Sequence, residues 1–333
     1  VSRARLAVGG ALSAALVALL LASVDLAALG RQLGRTHWGW ALIGAGLGLM
    51  ALWVRARRWR YLFPPGDPPP ALVPALMIGY MANNLLPFRA GEAVRVYVVV
   101  RRWGRGLWTT LATLVVERVL DSLAVVLILG VLVLLVPVPA VARWGALTLL
   151  ALDVVAATAL GALAARPTRL GCILDGVGRR WPRLGPRIRE AADRFVRGLE
   201  GVRARSHLGP LVGWTVLAWL LPALGAWTVL RAAHLDLPWI AGWTVLAFVG
   251  LGVSVPSAPG YVGVFHYAAV LALDIFAVER AASVGYAILL HAAQVLPITV
   301  VGWLYLLREH LSLGEATRLP PAPALGVPPT GSG

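Results

Sequence analysis

No lysine occurs among the 333 residues; all 30 basic side chains are arginine. Schiff-base catalysis and the lysine of a phosphate-binding P-loop are thereby excluded, although GC-rich coding explains the absence equally well. The single cysteine, Cys172, rules out an intrachain disulfide and any zinc site built from cysteine pairs. Charged residues are scarce at 14% and apolar ones make up 59%, whereas a soluble domain is about half apolar and about a quarter charged. That balance excludes a disordered or collagen-like chain and is that of an integral membrane protein. No nucleophile–base pair, glycine-rich phosphate loop beside a strand, or histidine-rich metal motif is found. The polar segments are too short for a soluble catalytic domain, and no cofactor is expected.

What the chain does contain is long apolar runs. A transmembrane helix needs about 20 such residues, and runs of that order are Leu6–Val24, His37–Val54, Ser122–Ala142, Leu208–Leu230, Leu237–Phe265 and Ala281–Leu307. Arg143–Ala165 is a further candidate, interrupted only by Asp153. Leu6–Val24 exceeds the apolar core of a signal peptide and is read as a retained helix. Ala71–Phe88 carries Pro74, Asn83, Asn84 and Pro87 and is read as half of a hairpin.

The net charge of +15 is explained by topology better than by nucleic-acid binding. With the N-terminus in the cytoplasm, 22 arginines face inward and five (Arg31, Arg35, Arg143, Arg231, Arg280) face outward. Three, Arg89, Arg95 and Arg118, remain at membrane depth. Both termini are then cytoplasmic, and the setting is a bacterial-type plasma membrane. The loop over 165–208 holds eleven arginines. Its Ile188, Ala192, Phe195, Leu199 and Val202 recur at helical spacing, which predicts an amphipathic helix on an anionic leaflet. The Pro- and Gly-rich tail, 311–333, is expected to be disordered.

The two halves match in order. Repeat one (1–137) has helices 6–24 and 38–54, a hairpin over 71–100 and a long helix over 107–136. Repeat two (141–310) has helices 143–165 and 208–230, a hairpin over 238–275 and a helix over 281–307. Both hairpins turn on Pro-x-x-x-Gly, at Pro87–Gly91 and Pro256–Gly260. The expected fold is an all-α polytopic membrane protein. It is an inverted repeat of two halves, each with three crossing helices and one re-entrant hairpin, and the hairpin tips meet near the midplane.

Ionisable groups at membrane depth are costly and mark function. The first tip carries Arg89, Glu92 and Arg95, with Asn83 and Asn84 nearby. A helix starting near Ala93 would turn its free N–H groups toward the midplane and, with the arginine forks, make a phosphate seat. The long helix carries Thr109, Thr113, Glu117 and Asp121 at four-residue spacing, with Arg118 beside them. The carboxylates either neutralise Arg89 and Arg95 or receive a cationic headgroup. The competing reading is a buried ion-pair network that joins the hairpin to the helix, and both can hold at once. The second half offers Tyr261 at its tip and His291, the positional counterpart of Glu117. A single histidine in a helix is more often a packed residue than a proton carrier. Gly44-x-x-x-Gly48 fits close helix packing.

Three stretches carry a family resemblance. They are Gly79-Tyr80-Met81-Ala82-Asn83-Asn84-Leu85-Leu86-Pro87-Phe88-Arg89-Ala90-Gly91-Glu92 followed by Arg95, Glu117-Arg118-Val119-Leu120-Asp121, and Pro256-Ser257-Ala258-Pro259-Gly260-Tyr261-Val262-Gly263-Val264-Phe265. Over about residues 5–310 the chain resembles the flippase-like transmembrane domain of lysylphosphatidylglycerol synthases, the multiple peptide resistance factor type. The resemblance implies a plasma-membrane protein that moves a phospholipid or lipid-phosphate headgroup between leaflets, with aminoacyl-phosphatidylglycerol as one candidate cargo. By motif match, Arg89, Glu92, Arg95, Glu117, Arg118 and Asp121 are implied as headgroup or network residues. The chain departs from the two-domain synthases in having no cytosolic aminoacyl-transferase domain, and it has His266 where family members often have Glu. The implied partners are membrane lipids, chiefly anionic, and a separate soluble synthase or glycosyltransferase; nucleic acid is not expected. The alternative is a membrane enzyme or enzyme subunit in lipid-phosphate or glycolipid modification, with Glu117 or Asp121 as general base.

Overall fold

The computed structural model describes residue 18, residues 26–86, 89–165, 185–254 and 258–309, and residue 311. The helix expected over 6–24, apart from residue 18, together with Cys172 and the tail after Leu311, lies outside the described residues. In chain order the elements are α1 (Leu26–Gly34), α2 (Trp38–Arg60), α3 (Val73–Leu85), α4 (Gly91–Trp103), α5 (Leu107–Leu135), α6 (Ala140–Ala165) and α7 (Gly185–Gly198). There follow α8 (Glu200–Arg203), α9 (Arg205–Ala232), α10 (Ile240–Gly252), a 3-10 turn (Pro259–Tyr261), α11 (Val264–Asp274) and α12 (Arg280–Arg308). No strand occurs among the described residues. Five helices, α2, α5, α6, α9 and α12, are long and apolar enough to cross a membrane. The protein is therefore a multi-pass helical membrane protein.

The boundaries of α9 and α12 follow from the apolar runs, whereas the run Ser122–Ala142 covers only the second half of α5 and runs on into α6, and α2 departs as well. The sequence predicts an end at Val54, where charge begins, yet the helix continues through four arginines to Arg60. Its last turns point inward, and Arg58 and Trp59 are fully buried. A buried partner for the charge, not the end of the apolar run, sets that boundary. Helix α1 has no counterpart in the sequence reading. The amphipathic helix is present but interrupted at Leu199. Its apolar face docks on protein in its second half: Leu199 is buried, and Phe195 and Val202 pack against the core. A Cβ on Gly198 would sit 2.6 Å from Ala112 Cβ, so α7 lies directly on α5. Asp153 sits mid-helix in α6, away from either end, and is buried.

Two hairpins organise the bundle. The arms of the first, α3 and α4, cross at Gly79 and Gly91, and the arms of the second are α10 and α11. Each hairpin anchors its own apolar core. One core is built from α2, α3, α4 and the start of α5. The other is built from α9, α10, α11, the end of α5 and the start of α12. The first hairpin opens at the end of the bundle where Arg102 pairs with Glu309 at 2.8 Å. The second opens at the other end, where His37 N–H donates to Ala232 O (2.9 Å) and Arg280 pairs with Asp274 (3.2 Å). The tips meet in between. Asn84 at the end of α3 donates to Thr299 Oγ1 of α12 (3.0 Å), and a Cβ on Gly260 would lie 3.3 Å from Asn84 O.

Close approach explains the glycines unevenly. A Cβ on Gly44 would come within 3.0 Å of Gly225 O on α9, whereas Gly48 has nothing within 4 Å. The small-residue contact is thus Gly44 against Gly225, and Gly48 takes no part. At the hairpin crossing a Cβ on Gly91 would collide with Gly79 O and the Asn83 side chain. Gly91→Ala is therefore expected to lower the melting temperature by roughly 5 °C or more through overpacking. Gly48→Ala should leave it unchanged. Thermal stability in detergent, read as loss of monodisperse protein, checks both.

Candidate functional site

Helical spacing brings the charges together. Glu117 and Asp121 are four apart on α5, Glu92 and Arg95 three apart on α4, and Arg55 and Arg58 three apart on α2, so each pair shares one face. The three faces converge. Arg95 holds Glu117 in a bidentate pair, Nη2–Oε2 2.7 Å and Nη1–Oε1 3.1 Å, with both side chains about 1% exposed. Its guanidinium lies 4.0 Å over the Trp59 ring, a cation–π contact strengthened by exclusion of water. Trp59 Nε1 donates to Thr113 Oγ1 at 2.9 Å. Asp121 accepts from Arg58 (2.7 Å) and Arg55 (3.0 Å). Arg118 bridges the rest: it donates to Glu117 at 2.9 Å and lies 3.3 Å from Asp121 and 3.8 Å from Glu92. Arg95 also lies 3.6 Å from Glu92.

Five of the residues singled out in the sequence, Glu92, Arg95, Glu117, Arg118 and Asp121, thus form one network. The sequence reading missed Arg55, Arg58 and Trp59, which complete it. The arginine distribution places Arg55 and Arg58 with the cytoplasmic flank; the usable signal is their three-residue spacing around an apolar face that also carries Trp59. Thr109 and Thr113 are used for packing. Thr109 Oγ1 donates to Arg194 O (3.2 Å), and Thr113 Oγ1 to Thr110 O (2.7 Å).

The expected anion seat at the start of the second arm is closed by the hairpin itself. Gly91 N–H donates to Asn83 Oδ1 at 2.8 Å, Glu92 N–H to Arg89 O at 3.0 Å and Val94 N–H to Ala90 O at 3.1 Å. Asn83 is a buried brace between the arms, and Asn84 ties the tip to α12. What remains for a ligand is side chain, not backbone.

Arg89 stands apart from the network. It is half-buried in the left-handed region at φ 54°, and it makes no ion pair or hydrogen bond among the described residues; its Nε is buried without a partner. The carboxylates expected to neutralise it pair elsewhere. Tyr261, at the opposite tip, is also left-handed, at φ 58°, and lies within electrostatic range of Arg89, Tyr80, Glu92 and Arg118. Left-handed non-glycine residues cost about 1–3 kcal/mol each and cluster at functional sites; here one sits at each tip. Around this junction five guanidiniums (Arg55, Arg58, Arg89, Arg95, Arg118) stand against three carboxylates (Glu92, Glu117, Asp121). A surplus of positive charge removed from water is costly unless an anion joins it.

The second half is less charged. His291 Nε2 contacts Gly260 O at 2.7 Å, and its ring stacks near His266 (4.7 Å between centroids) and Phe265 (4.9 Å). His266 Nδ1 accepts weakly from Gly263 N–H at 3.4 Å. His291 therefore holds the second tip in place and does not enter the ion network. No group of three or more metal-ligating side chains occurs among the described residues.

One family model matches the chain, that of the lysylphosphatidylglycerol synthase TM region, over residues 6–302. No curated protein and no solved structure matches it. The matched range includes both hairpins and every member of the ion network. The chain belongs to the lysylphosphatidylglycerol synthase TM region family and is a multi-pass membrane protein of lipid modification or transport.

Proposed function

We propose that the chain is a flippase-like transporter that carries an anionic lipid headgroup between leaflets, with the headgroup phosphate on Arg89 where the hairpin tips meet. The observation that carries this reading is Arg89 itself: a half-buried side chain held in a strained backbone conformation, with no ion pair or hydrogen bond among the described residues. A planar guanidinium engages a phosphate through two parallel hydrogen bonds. Tyr261 faces it from the other tip, and Arg118 supplies further positive charge. Glu117 and Asp121 are committed to guanidinium partners, which leaves neither free as a general base and favours transport over lipid chemistry.

The two halves are read as an inverted repeat, with the first hairpin entering from the cytoplasm and the second from outside. Rocking of one half against the other then exposes the tips to each leaflet in turn. The basic end of the bundle faces the cytoplasm of a plasma membrane, in keeping with its arginine excess. In that orientation Cys172, the only cysteine, reacts with a membrane-impermeant maleimide in opened cells and not in intact ones; labelling of intact cells would reverse the topology.

The function is tested by leaflet exchange of labelled lipids in liposomes that contain the purified protein. Phosphatidylglycerol, its aminoacyl form and a polyprenyl phosphate are compared. Exchange of one or more identifies a transporter and ranks its cargo. Folded protein that exchanges none of them defeats the reading.

A further inference from the structure

A second basic cavity lies at the arginine-rich end of the bundle, away from the hairpin tips. It encloses about 620 Å3 and is lined by Trp53, Arg57 and Arg60 of α2, Tyr61, His207 and Trp214 of α9, and the loop over 64–68. That volume is typical of a small-molecule site. The walls are held from several sides. His207 Nδ1 lies 2.8 Å from Tyr61 O and 3.1 Å from Gly201 O, so it donates to both, and Nε2 has no partner among the described residues. Tyr61 and His207 pack edge to face at 5.3 Å, as do Trp53 and Trp214 at 6.0 Å. Arg105 pairs with Asp67 and donates to Pro68 O (3.3 Å), which fixes the loop. Leu62 and Phe63 are buried beneath it, and a Cβ on Gly201 would strike Leu62 O.

The cavity is built, yet its charge is unmatched. Arg57 stacks on Trp53 with its guanidinium carbon 4.7 Å from the ring centroid. Neither Arg57 nor Arg60 has a carboxylate partner among the described residues, although ion pairs are common elsewhere at this end. One side of the cavity runs onto an exposed apolar surface of α2 and α9 that includes Met50, Trp53 and Val212. Paired arginines beside tryptophans, at the end of membrane-spanning helices and open to an apolar flank, suit a headgroup whose tails continue into the bilayer.

We infer that this cavity binds one anionic glycerophospholipid from the leaflet at the arginine-rich end, at a site separate from the hairpin tips. The phosphate lies between Arg57 and Arg60, His207 Nε2 takes a hydroxyl of the headgroup, and the acyl chains run along Trp53 and Trp214. Native mass spectrometry of the full chain carrying Arg89→Ala, which disables the proposed transport site, isolates this one. Phosphatidylglycerol is offered against phosphatidylcholine, with and without millimolar inorganic phosphate. The expected result is preferential retention of a single phosphatidylglycerol. Retention weakens about tenfold or more when Arg57→Ala and Arg60→Ala are added, since both charge-assisted contacts to the phosphate are lost. Both arginines are exposed, so the added changes should leave the melting temperature unaltered. Equal retention of the two lipids, or undiminished retention after both substitutions, overturns the inference. Displacement by inorganic phosphate overturns the lipid assignment and makes the cavity a free-phosphate site. Transport by the wild-type chain is measured separately, so either reading can fail alone.

Discussion

Arg89→Ala is expected to cut leaflet exchange by about 100-fold while leaving the protein as stable as the wild type. The two halves of this expectation come from one fact: the side chain makes no hydrogen bond or ion pair among the described residues, and its buried Nε is unpaired. Removing it costs no internal ion pair, and a partner-free, partly exposed side chain should change stability by no more than about 0.5 kcal/mol. If the guanidinium engages the lipid phosphate, its loss removes a charge-assisted fork worth roughly 2–3 kcal/mol, which sets the size of the transport defect. The backbone sharpens the test. At φ 54° a residue with a Cβ is strained by about 1–2 kcal/mol relative to glycine. Arg89→Gly should therefore raise the melting temperature slightly and still abolish exchange. A gain in stability with a loss of transport is hard to explain by damage to the fold. Arg89→Lys, which keeps the charge and loses the planar fork, should retain partial activity. Wild-type exchange rates in both the Ala and the Gly variants would sink the assignment of the tip as the headgroup site.

How far the sequence foretold this arrangement differs between fold and site. Apolar runs set α9 and α12 to within a few residues, because hydropathy and helix length are tied by bilayer thickness; the run Ser122–Ala142 instead straddles the end of α5 and the start of α6. The hairpins were legible from Pro87 to Gly91 and from Pro256 to Gly260, where proline and glycine interrupt apolar segments too short to cross twice. Residues at three- and four-residue spacing on one helix, Glu92 with Arg95 and Glu117 with Asp121, were legible as pairs. The partners across helices were not. Arg58 sits in a run of four arginines near the end of α2, and composition alone makes that run a cytoplasmic flank. Only the packing of α2 on α5 shows that Arg58 is buried on Asp121 while Arg57 and Arg60 stay outside. The free N–H groups expected at the start of α4 were misjudged for a related reason: Asn83 folds back across the turn to cap Gly91, a contact fixed by hairpin geometry and not by spacing. Arg89 stands out in the sequence as a charge between apolar segments, but its lack of a carboxylate partner among the described residues follows only from Glu117 and Asp121 being taken.

The largest stability effect should come from Glu117→Ala, for the opposite reason to Arg89. Glu117 and Arg95 are both about 1% exposed and joined by two hydrogen bonds. Removing one member of a buried pair strands the other charge and typically costs about 3–5 kcal/mol. The variant should insert yet lose its monodisperse peak at a much lower temperature, and any loss of exchange would then report the fold and not the cargo. The pair can be tested as a unit. Replacing both ends with apolar side chains of similar volume, Glu117→Leu with Arg95→Met, removes the stranded charge and lets methionine lie over Trp59 where the guanidinium now stacks. Such replacements often recover stability. The residual cost should come from Arg118 and Arg58, which would lose contacts of 2.9 and 3.8 Å to Glu117 and keep Asp121 at 3.3 and 2.7 Å. The double variant is therefore expected to melt well above Glu117→Ala, and to exchange lipid if Arg89 alone holds the phosphate. Recovered stability without exchange would instead move Arg95 and Glu117 from scaffold to cargo contact. A Glu117→Ala protein as stable as the wild type would refute the buried network as the joint between the first hairpin and the long helix.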